Sequence, residues 1–365
     1  MNFIGVDLHK KVISVCVIVQ EGRSRKVLER ATLACADTGS IVRFFRRWRP
    51  FQMAVEATAS YEWFVQLVEP LAERVVLVHP KKLRVIAESK HKSDKLDAFV
   101  IAEFLALDML PEAFRPTARQ REHRTLVRQR AYVQRRITSA KNKLRHVLAR
   151  YNADVRGLFS AAGRQYLAEF ALSAADRFLA EQLLEELSQH QARLKAADRQ
   201  LRAFAKAAPI AEREARDVLD SVPCVGPVTI EVVLSELGDV RRFRSAKQVT
   251  SYAGLAPGQR ASAGHRQALG ITKEGSRLLR WALVETAWRL VVKTRRWGLV
   301  YEQLQRRTGA KKAIVAVARR VLCVLTALLR SGQKYRLASD EMPPPMVRPA
   351  SRRAVLGLAA QAGLA

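Results

Sequence analysis

Runs of apolar residues with two different spacings predict a mixed α/β segment over residues 1 to about 105. Short apolar or β-branched runs predict strands, and apolar residues three or four positions apart predict helices between them. The residues EGRS at 21–24 predict a hairpin turn, and Thr38 and Ser40 are candidate caps for the first helix. The predicted strands are 3–7, 12–19, 26–33, 52–57 and 74–80, and the predicted helices are 38–48, 61–73 and 93–107.

The order of these elements is three strands, a helix, a strand, a helix, a strand and a helix. A meander of three strands, extended by strands that are reached through helical crossovers, is the topology of the RNase H-like fold. The sequence therefore predicts an N-terminal α/β domain of this class, with Asp7 on its first strand.

Strand-like runs disappear from Arg119 to about Pro209, where two long amphipathic helices are predicted. The runs 123–151 and 178–208 carry apolar residues at helical spacing, which is typical of an antiparallel helical pair or coiled coil. Residues 121–150 hold ten Lys or Arg against one Glu. A charged face exposed to water explains the second helix well. The excess of positive charge on the first helix predicts an anionic partner, because these like charges repel one another unless an anion neutralises them.

The region from Pro209 onward is predicted to be mostly helical. Residues 209–255 have the pattern helix, tight turn, helix, and the turn PCVGP resembles a helix-hairpin-helix, which presents backbone N–H groups to a phosphate. Cys224 stands where the first glycine of such a turn is usual, so a plain helix–helix turn is nearly as good an interpretation. Residues 275–335 predict two further helices, and the tail from Ser339 has a composition typical of disorder.

The charge of the chain points to a polyanionic partner. Its 365 residues include 64 Lys or Arg and 34 Asp or Glu, which gives a formal net charge of +30. This excess is larger than solubility needs, and strongly cationic proteins are typically built to bind phosphates. The four cysteines are widely spaced, which argues against a zinc site and is typical of thiols in a reducing compartment. No signal peptide, lipidation motif or apolar run of membrane-spanning length is found, so we expect a cytoplasmic protein without a membrane partner.

Four acidic residues stand out against this basic background. Asp7 and Glu56 end the first and fourth predicted strands, which are neighbours in an RNase H-like sheet, so both carboxylates would point into one crevice. Asp94 and Asp97 lie three residues apart on one helical face and could reach the same place. Each acid alone can be explained as a turn former or a helix-start charge. Together they predict a two-metal site, because clustered carboxylates need divalent cations and Mg²⁺ prefers oxygen ligands.

Basic residues, and one glycine of the PCVGP turn, are candidate contacts to nucleic acid. Cations beside a metal site could hold phosphate oxygens, and they are equally well explained as surface charges. The candidates are Lys10, Lys92, Lys95, Arg128, Arg135, Arg136, Lys141, Gly226, Arg260, His265, Arg266 and Lys273.

Ser262 lies in a predicted loop at 254–264 that is rich in glycine and other small residues. A serine in such a loop is more often a turn residue than a nucleophile, and no His/Asp triad accompanies it. Thr272 is a candidate cap for the helix that follows the loop.

Several motifs follow one another in order along the chain. The acid-bearing ones are GVDLHK (5–10), MAVEATASYEW (53–63) and KSDKLDA (92–98). Further along the chain are VPCVGPVTI (222–230), YAGLAPGQRASAG (252–264), GITKEGSRLLRWAL (270–283) and KKAIVAVARRVL (311–322). Over about residues 2–335 these resemble, in turn, the motifs of the RuvC-like domain and of the C-terminal domain of the DEDD transposases of the insertion-sequence one-ten group. This family often has Ser-Ser-Gly-Gly where the chain has Ala261-Ser262-Ala263-Gly264, so only one serine is available.

The resemblance implies a bacterial, nucleoid-associated recombinase that is guided by a structured bridge RNA. The four acids Asp7, Glu56, Asp94 and Asp97 would bind Mg²⁺, for which Mn²⁺ can substitute, and Ser262 would form a covalent phosphoserine with DNA. The RNA would pair with double-stranded donor and target DNA, so that base pairing supplies the sequence specificity. The protein would assemble as a dimer or tetramer through its long helices.

The resemblance and the element pattern give a domain prediction. It consists of a RuvC-like catalytic domain at 1–110, a helical coiled-coil segment at 111–208, a mostly α C-terminal transposase domain at 209–338 and a disordered tail at 339–365. Two alternatives remain open. One is a RuvC-like, metal-dependent nuclease that cuts branched DNA by hydrolysis and has no use for Ser262. The other is a non-catalytic nucleic-acid-binding protein.

Overall fold

The chain divides into two compact units, Met1–Pro116 and Thr117–Ala365. The predicted helical segment at 111–208 and the predicted C-terminal domain at 209–338 both fall mainly in the second unit, so their separation stays a prediction. The tail from 339 lies outside the described residues. The computed structural model describes residues 1–22, 24–58, 60–86, 94–262 and 265–336, with the backbone alone at 84–86, 94–97, 259–262 and 265–268.

The first unit is built on one mixed sheet of five strands. These are β1 Asn2–Leu8, β2 Val12–Glu21, β3 Ser24–Ala34, β4 Phe51–Glu56 and β5 Arg74–Val78. Their order is β3-β2-β1-β4-β5, in which β1, β2 and β3 are antiparallel neighbours and β4 and β5 run parallel to β1. The predicted meander with crossover strands is therefore confirmed.

Helices cover both faces of this sheet. α1 and α2 bury aromatic and aliphatic side chains against one face, and α4 packs on the other. The cap of α1 is Asp37, whose carboxylate accepts a hydrogen bond from the amide of Ser40, so the predicted caps Thr38 and Ser40 were wrong. The sequence pattern also missed α3. The helices are α1 Thr38–Arg47, α2 Tyr61–Val68 with a 3₁₀ turn at Glu69–Leu71, α3 Pro80–Ile86 and α4 Asp94–Ala106.

The second unit is mainly helical. Its two longest helices are α5 and α7, which pack against each other in opposite directions, as the ion pair Arg150–Asp176 and the hydrogen bond from Arg119 to the carbonyl oxygen of Phe204 at their ends show. The elements are α5 Ala118–Ala149, α6 Ala161–Glu169, α7 Ala174–Lys206, α8 Ile210–Asp220, α9 Pro227–Leu237, α10 Ala246–Tyr252, β6 Pro257–Ser262, β7 His265–Ile271, α11 Arg277–Lys293, α12 Arg295–Thr308 and α13 Ala310–Ser331.

The last part of this unit holds three helices where the sequence pattern predicts two. Thr294 is extended, with φ −131° and ψ 134°, and Gly309 has a φ of 79°, so the helical path breaks twice. Apolar side chains of α8 to α13 form one core together with Val127 and Leu201 from the long helices. In the described part of the chain, no helix has both the length and the apolar character that a membrane span needs.

Candidate active site

Asp7 and Glu56 lie at matching positions near the carboxyl ends of two neighbouring strands. β1 and β4 are parallel, with Gly5 opposite Ala54. Asp7 and Glu56, each two positions further along its strand, are therefore also opposite each other. Side chains two positions apart share one face of a strand. The two acids therefore share the face of Gly5 and Ala54, which α4 covers. The structure brings these two predicted metal ligands together in register.

Gly5 permits α4 to lie directly on the sheet. A Cβ atom at this position would stand 2.0 Å from the carbonyl oxygen of Ala98 and 2.4 Å from the amide nitrogen of Ala102, so no side chain fits. At the other end of α4, Ala106 packs in the same cluster as Phe3. α4 therefore runs toward the start of β1, and its first turn lies near the carboxyl end of β1.

The surroundings of Asp7 suit a carboxylate that binds a cation. Asp7 is only 6% exposed, and Nε2 of His9 lies 3.0 Å from its Oδ2. A buried carboxylate is costly unless a charge, a hydrogen bond or a metal ion compensates it. Glu56, half-buried at the end of β4, adds a second set of oxygen donors. Hard cations such as Mg²⁺ take oxygen ligands, so the two side chains fit the predicted metal.

The other predicted ligands are placed by their backbone. α4 begins at Asp94, and Asp97 belongs to its first turn. The side chains of both acids and of Lys95, and the whole of Lys92, lie outside the described part of the structure, whereas Lys10 is exposed after β1. Among the described side chains, no three His, Cys, Asp or Glu residues form a metal-binding group. The four-acid site therefore stays a prediction, supported by the meeting of two strand ends with the start of α4.

Ser262 is the last residue of a strand and not a residue of an open loop. β6 and β7 pair as an antiparallel hairpin in which Ser262 is the register partner of His265. The sequence pattern missed this hairpin because glycine and proline are typical of loops. The predicted cap Thr272 was also wrong, since Ser276 caps α11 by accepting a hydrogen bond from the amide of Leu279. The side chains of Arg260, Ser262, His265 and Arg266 lie outside the described residues, and Lys273 is exposed with a φ of 58°.

The turn between α8 and α9 has one residue in the left-handed region. Cys224 has a φ of 65°, a conformation that favours glycine, which explains why a glycine is usual at this position of a helix-hairpin-helix. Gly226 precedes the first residue of α9, and a Cβ atom there would meet nothing within 4 Å. This open space leaves room for a phosphate near the start of α9, and phosphate binding by the turn stays a prediction.

Acidic side chains from other helices neutralise part of the basic stripe on α5. Arg128 makes two hydrogen bonds of 2.9 and 3.0 Å to the buried carboxylate of Glu236, and this bonding raises its pKa. Arg136 lies 3.5 Å from Glu186 in an exposed pair. Lys141 lies over the ring of Phe159. The nucleic-acid contacts predicted here are therefore best placed at cations without an acidic partner.

Two features were missed by sequence reasoning. The first is the close approach at Gly5, which a glycine inside a strand pattern could have indicated. The second is a cavity in the second unit next to Trp281. No spacing in the sequence reveals this cavity, because its walls come from four helices that are far apart in the chain.

Two family models match the chain. A DEDD transposase model of the IS110 type matches residues 4–153, and the model described as "Transposase IS116/IS110/IS902 family" matches residues 216–302. The chain is 26% identical to the transposase for insertion sequence element IS1111A of Coxiella burnetii, with 92% of both chains covered. It is 27% identical to a probable family 20 transposase of Pseudomonas aeruginosa, covering 92% of this chain and 99% of the relative. A pilin gene-inverting protein of Moraxella bovis is 23% identical, over 92% and 97% of the two chains.

Proposed function

We propose that this chain, which belongs to the IS110-type family of DEDD transposases, cuts and rejoins DNA by attack of Ser262 on a DNA phosphodiester. In this proposal, the acidic residues of the first unit hold Mg²⁺. Membership of a transposase family sets aside the alternative of a non-catalytic binding protein. The proposal goes beyond that membership in four respects, which are the serine mechanism, the metal, the RNA guide and the oligomeric state.

One observation supports the metal site most directly, namely the register that brings Asp7 and Glu56 to one face at the ends of β1 and β4. These two residues would hold the cation, and Asp94 and Asp97 would complete the site from the start of α4. When bound, Mg²⁺ stabilises negative charge on phosphate oxygens. His9, at 3.0 Å from Asp7, would hold that carboxylate in one orientation.

The serine step conserves the number of phosphodiester bonds. The hydroxyl oxygen of Ser262 attacks phosphorus, the bond from phosphorus to one strand oxygen breaks, and the proton lost by the serine ends on that leaving oxygen. The product is a phosphoserine diester and a free DNA hydroxyl. After the strands exchange, a hydroxyl attacks the phosphoserine, which rejoins DNA and restores the serine.

Rejoining separates this mechanism from that of a hydrolytic nuclease. The relative from Moraxella bovis is named for inverting a gene, and an inverted segment has to be joined again at both of its ends. Hydrolysis leaves free ends that need a separate energy source for joining. In a phosphoserine diester the phosphorus stays esterified, so a DNA hydroxyl can displace the serine and rejoin the strand. This favours the serine mechanism over the RuvC-like nuclease for this chain.

The proposed partners are double-stranded donor and target DNA and a structured guide RNA. The second unit carries most of the positive charge, with 46 Lys or Arg against 20 Asp or Glu, whereas residues 1–116 carry 18 and 14. A protein that leaves sequence reading to an RNA needs many backbone contacts and few base contacts. We propose that the chain acts as a dimer or tetramer, because recombination joins four DNA ends.

The test is to trap the covalent intermediate with labelled DNA, Mg²⁺ and the guide RNA on a denaturing gel. Ser262→Ala should remove the adduct and lower strand transfer on the order of a thousandfold or more, while the control Ser251→Ala, at an exposed serine of α10, should keep both. Asp7→Asn and Glu56→Gln should lower both readouts.

Two results would contradict parts of this proposal. If Ser262→Ala still cuts DNA and gives free ends, the chain is a hydrolytic nuclease. If strand transfer is equally fast without RNA, the guide is not required.

A further inference from the structure

We propose that a cavity of the second unit binds one unpaired nucleotide of a DNA strand, with its base against Trp281 and its phosphate among the arginines at the rim. The cavity lies between α5, α7, α9 and α11 and has a volume of about 400 Å³. It contains none of the acids or the serine of the proposed chemistry. The inference rests on the activity on DNA, and adds a place where the strand is held.

The floor of the cavity is apolar. Val127 and Leu201 from the long helices and Val228 and Leu278 from α9 and α11 line it. A volume of this size falls in the range of small-ligand sites, roughly 300–1,000 Å³, and suits a flat ring with its sugar. An apolar floor binds the face of a base, because stacking removes both surfaces from water.

Trp281 gives the cavity an aromatic wall that is open to solvent. Its side chain is 49% exposed, although an indole gains free energy from burial. Other tryptophans of the unit have partners: Trp297 is buried in the core, and the ring of Trp288 lies 5.7 Å from that of Tyr301. Trp281 follows Arg277 by four residues on α11, so both lie on one face of the helix.

Three arginines from three helices give the rim a positive charge that none of the described acidic side chains compensates. Arg135 of α5, Arg202 of α7 and Arg277 of α11 are exposed and have no acidic partner among the described side chains. The acids of the cavity wall are already paired, since Asp198 lies 2.6 Å from Arg130 and Glu231 is bound by Arg216. The rim therefore attracts an anion, while the floor takes an apolar ring.

A nucleotide combines these two properties, and the base has to be unpaired. In a duplex the face of each base is covered by its neighbours, so a base enters a pocket only from a single strand or after leaving the stack. The established activity cuts DNA and frees strands, so single-stranded DNA is present during the reaction. An apolar side chain from a second copy of the chain would fill the floor but leave the three arginines without a partner.

The experiment measures the binding of a fluorescent oligo-dT to the full chain. An oligonucleotide of about 12 nucleotides is used, a length within the range of site sizes of single-strand binding proteins. Trp281→Ala should weaken this binding by about 5-fold to 150-fold, which corresponds to the stacking of one base. Trp281→Phe should retain most of the affinity. The matched control Trp288→Ala, which removes an indole of the same helix outside the cavity, should stay within about twofold of the wild type. Circular dichroism of each variant checks that it folds.

A second pair of variants tests the rim. Arg277→Gln should weaken oligo-dT binding more than Arg307→Gln, because Arg307 is an exposed arginine of α12 that does not line the cavity. Binding of a DNA duplex should change by less than about twofold in Trp281→Ala, since a paired base cannot reach the indole.

Three results would overturn the inference. Oligo-dT binding that is unchanged in Trp281→Ala would remove the stacking site. If Trp281→Ala loses binding to oligo-U but keeps binding to oligo-dT, the cavity is a site for RNA. A change in sedimentation coefficient with unchanged DNA affinity would make it an interface between copies. None of these results depends on whether the serine adduct forms. Loss of that adduct in Ser262→Ala tests the proposed function separately.

Discussion

At the scale of single residues, Cys224 carries a Cβ atom in a backbone conformation that favours glycine. Its φ of 65° costs a residue with a side chain about 1–2 kcal/mol. We therefore expect Cys224→Gly to be more stable than Cys224→Ala by about 1 kcal/mol, because both remove the sulfur and only glycine removes the strain. Chemical denaturation measures this difference.

The matched control is Cys323, which lies inside α13. There the order should reverse, with Cys323→Gly less stable than Cys323→Ala by about 1 kcal/mol, because glycine is a poor helix former. If alanine is the better residue at both positions, the left-handed turn is not the source of the effect.

Glu231 holds together three helices of the second unit through charge. Burial is the strongest single influence on its pKa and raises it, but the hydrogen bonds from His123 and Arg216 together outweigh burial and hold the pKa below 4.5. Glu231→Gln removes the carboxylate that accepts two hydrogen bonds from Arg216 and leaves that arginine, among the described carboxylates, only its 3.3 Å pair with Glu212, so we expect the free energy of unfolding at pH 7 to fall by up to about 3 kcal/mol. Glu186→Gln, which breaks the exposed pair with Arg136, should cost less than about 1 kcal/mol.

The pH dependence of this difference has a definite sign. A carboxyl group whose pKa is lowered by folding stabilises the native state above its unfolded pKa. The stability lost in Glu231→Gln should therefore be present above about pH 4.5, and should shrink as the pH falls below this value and the wild-type carboxylate takes up a proton. A difference that grows below about pH 4.5 would contradict the assignment. Urea titrations at several pH values measure it.

At the scale of elements, the contact of α4 with β1 is the most demanding packing in the first unit. Gly5→Ala places a methyl group against the backbone of α4, which cannot move aside as a side chain can. We expect a loss of about 1–3 kcal/mol of stability, and a loss of strand transfer in the variant that still folds, because α4 carries Asp94 and Asp97.

The control for this variant is Gly39→Ala in the first turn of α1. A Cβ atom there meets only the ends of the Arg43 and Asp37 side chains, at 3.3 and 3.5 Å. Stability and activity should be unchanged or slightly improved, since alanine is the better helix former. Equal losses in both variants would show that the packing at Gly5 is not special.

The same elements show what local sequence pattern can predict. The strands of the first unit follow from β-branched runs, and their order follows from the meander of three strands and the helical crossovers that lead to β4 and β5. The β6–β7 hairpin and the breaks at Thr294 and Gly309 did not follow, because pairing across the hairpin and the packing of α11 to α13 are decided by contacts between distant residues. In the candidate site, the shared face of Asp7 and Glu56 could be predicted from their positions at strand ends, whereas the clearance at Gly5 depends on the path of α4.

At the scale of the whole molecule, the two units differ in charge. The first unit is nearly balanced, which suits a site built from carboxylates, and the excess of Lys and Arg is in the second unit. Pairs such as Arg128–Glu236 use cations that the acids already offset, and 26 Lys or Arg remain in excess (46 − 20). Exposed arginines such as Arg135, Arg202 and Arg307 lie on different helices, so one DNA molecule should contact only some of these cations.

The salt dependence of DNA binding should reflect this limited number of contacts. Each phosphate that is neutralised contributes about −0.9 to the slope of log affinity against log salt concentration, so roughly six to ten contacts would lower the affinity by about 10³-fold to 10⁵-fold between 50 and 200 mM salt. A slope near −23, which is about −0.9 for each of the 26 excess positive charges of the second unit (46 − 20), would instead mean that nearly all of this charge meets phosphate. Arg277→Gln should make the slope for oligo-dT shallower by about 0.7, which is the contribution of one phosphate contact to a single strand. Trp281→Ala should lower the affinity by the same factor at every salt concentration, because stacking releases no counterions.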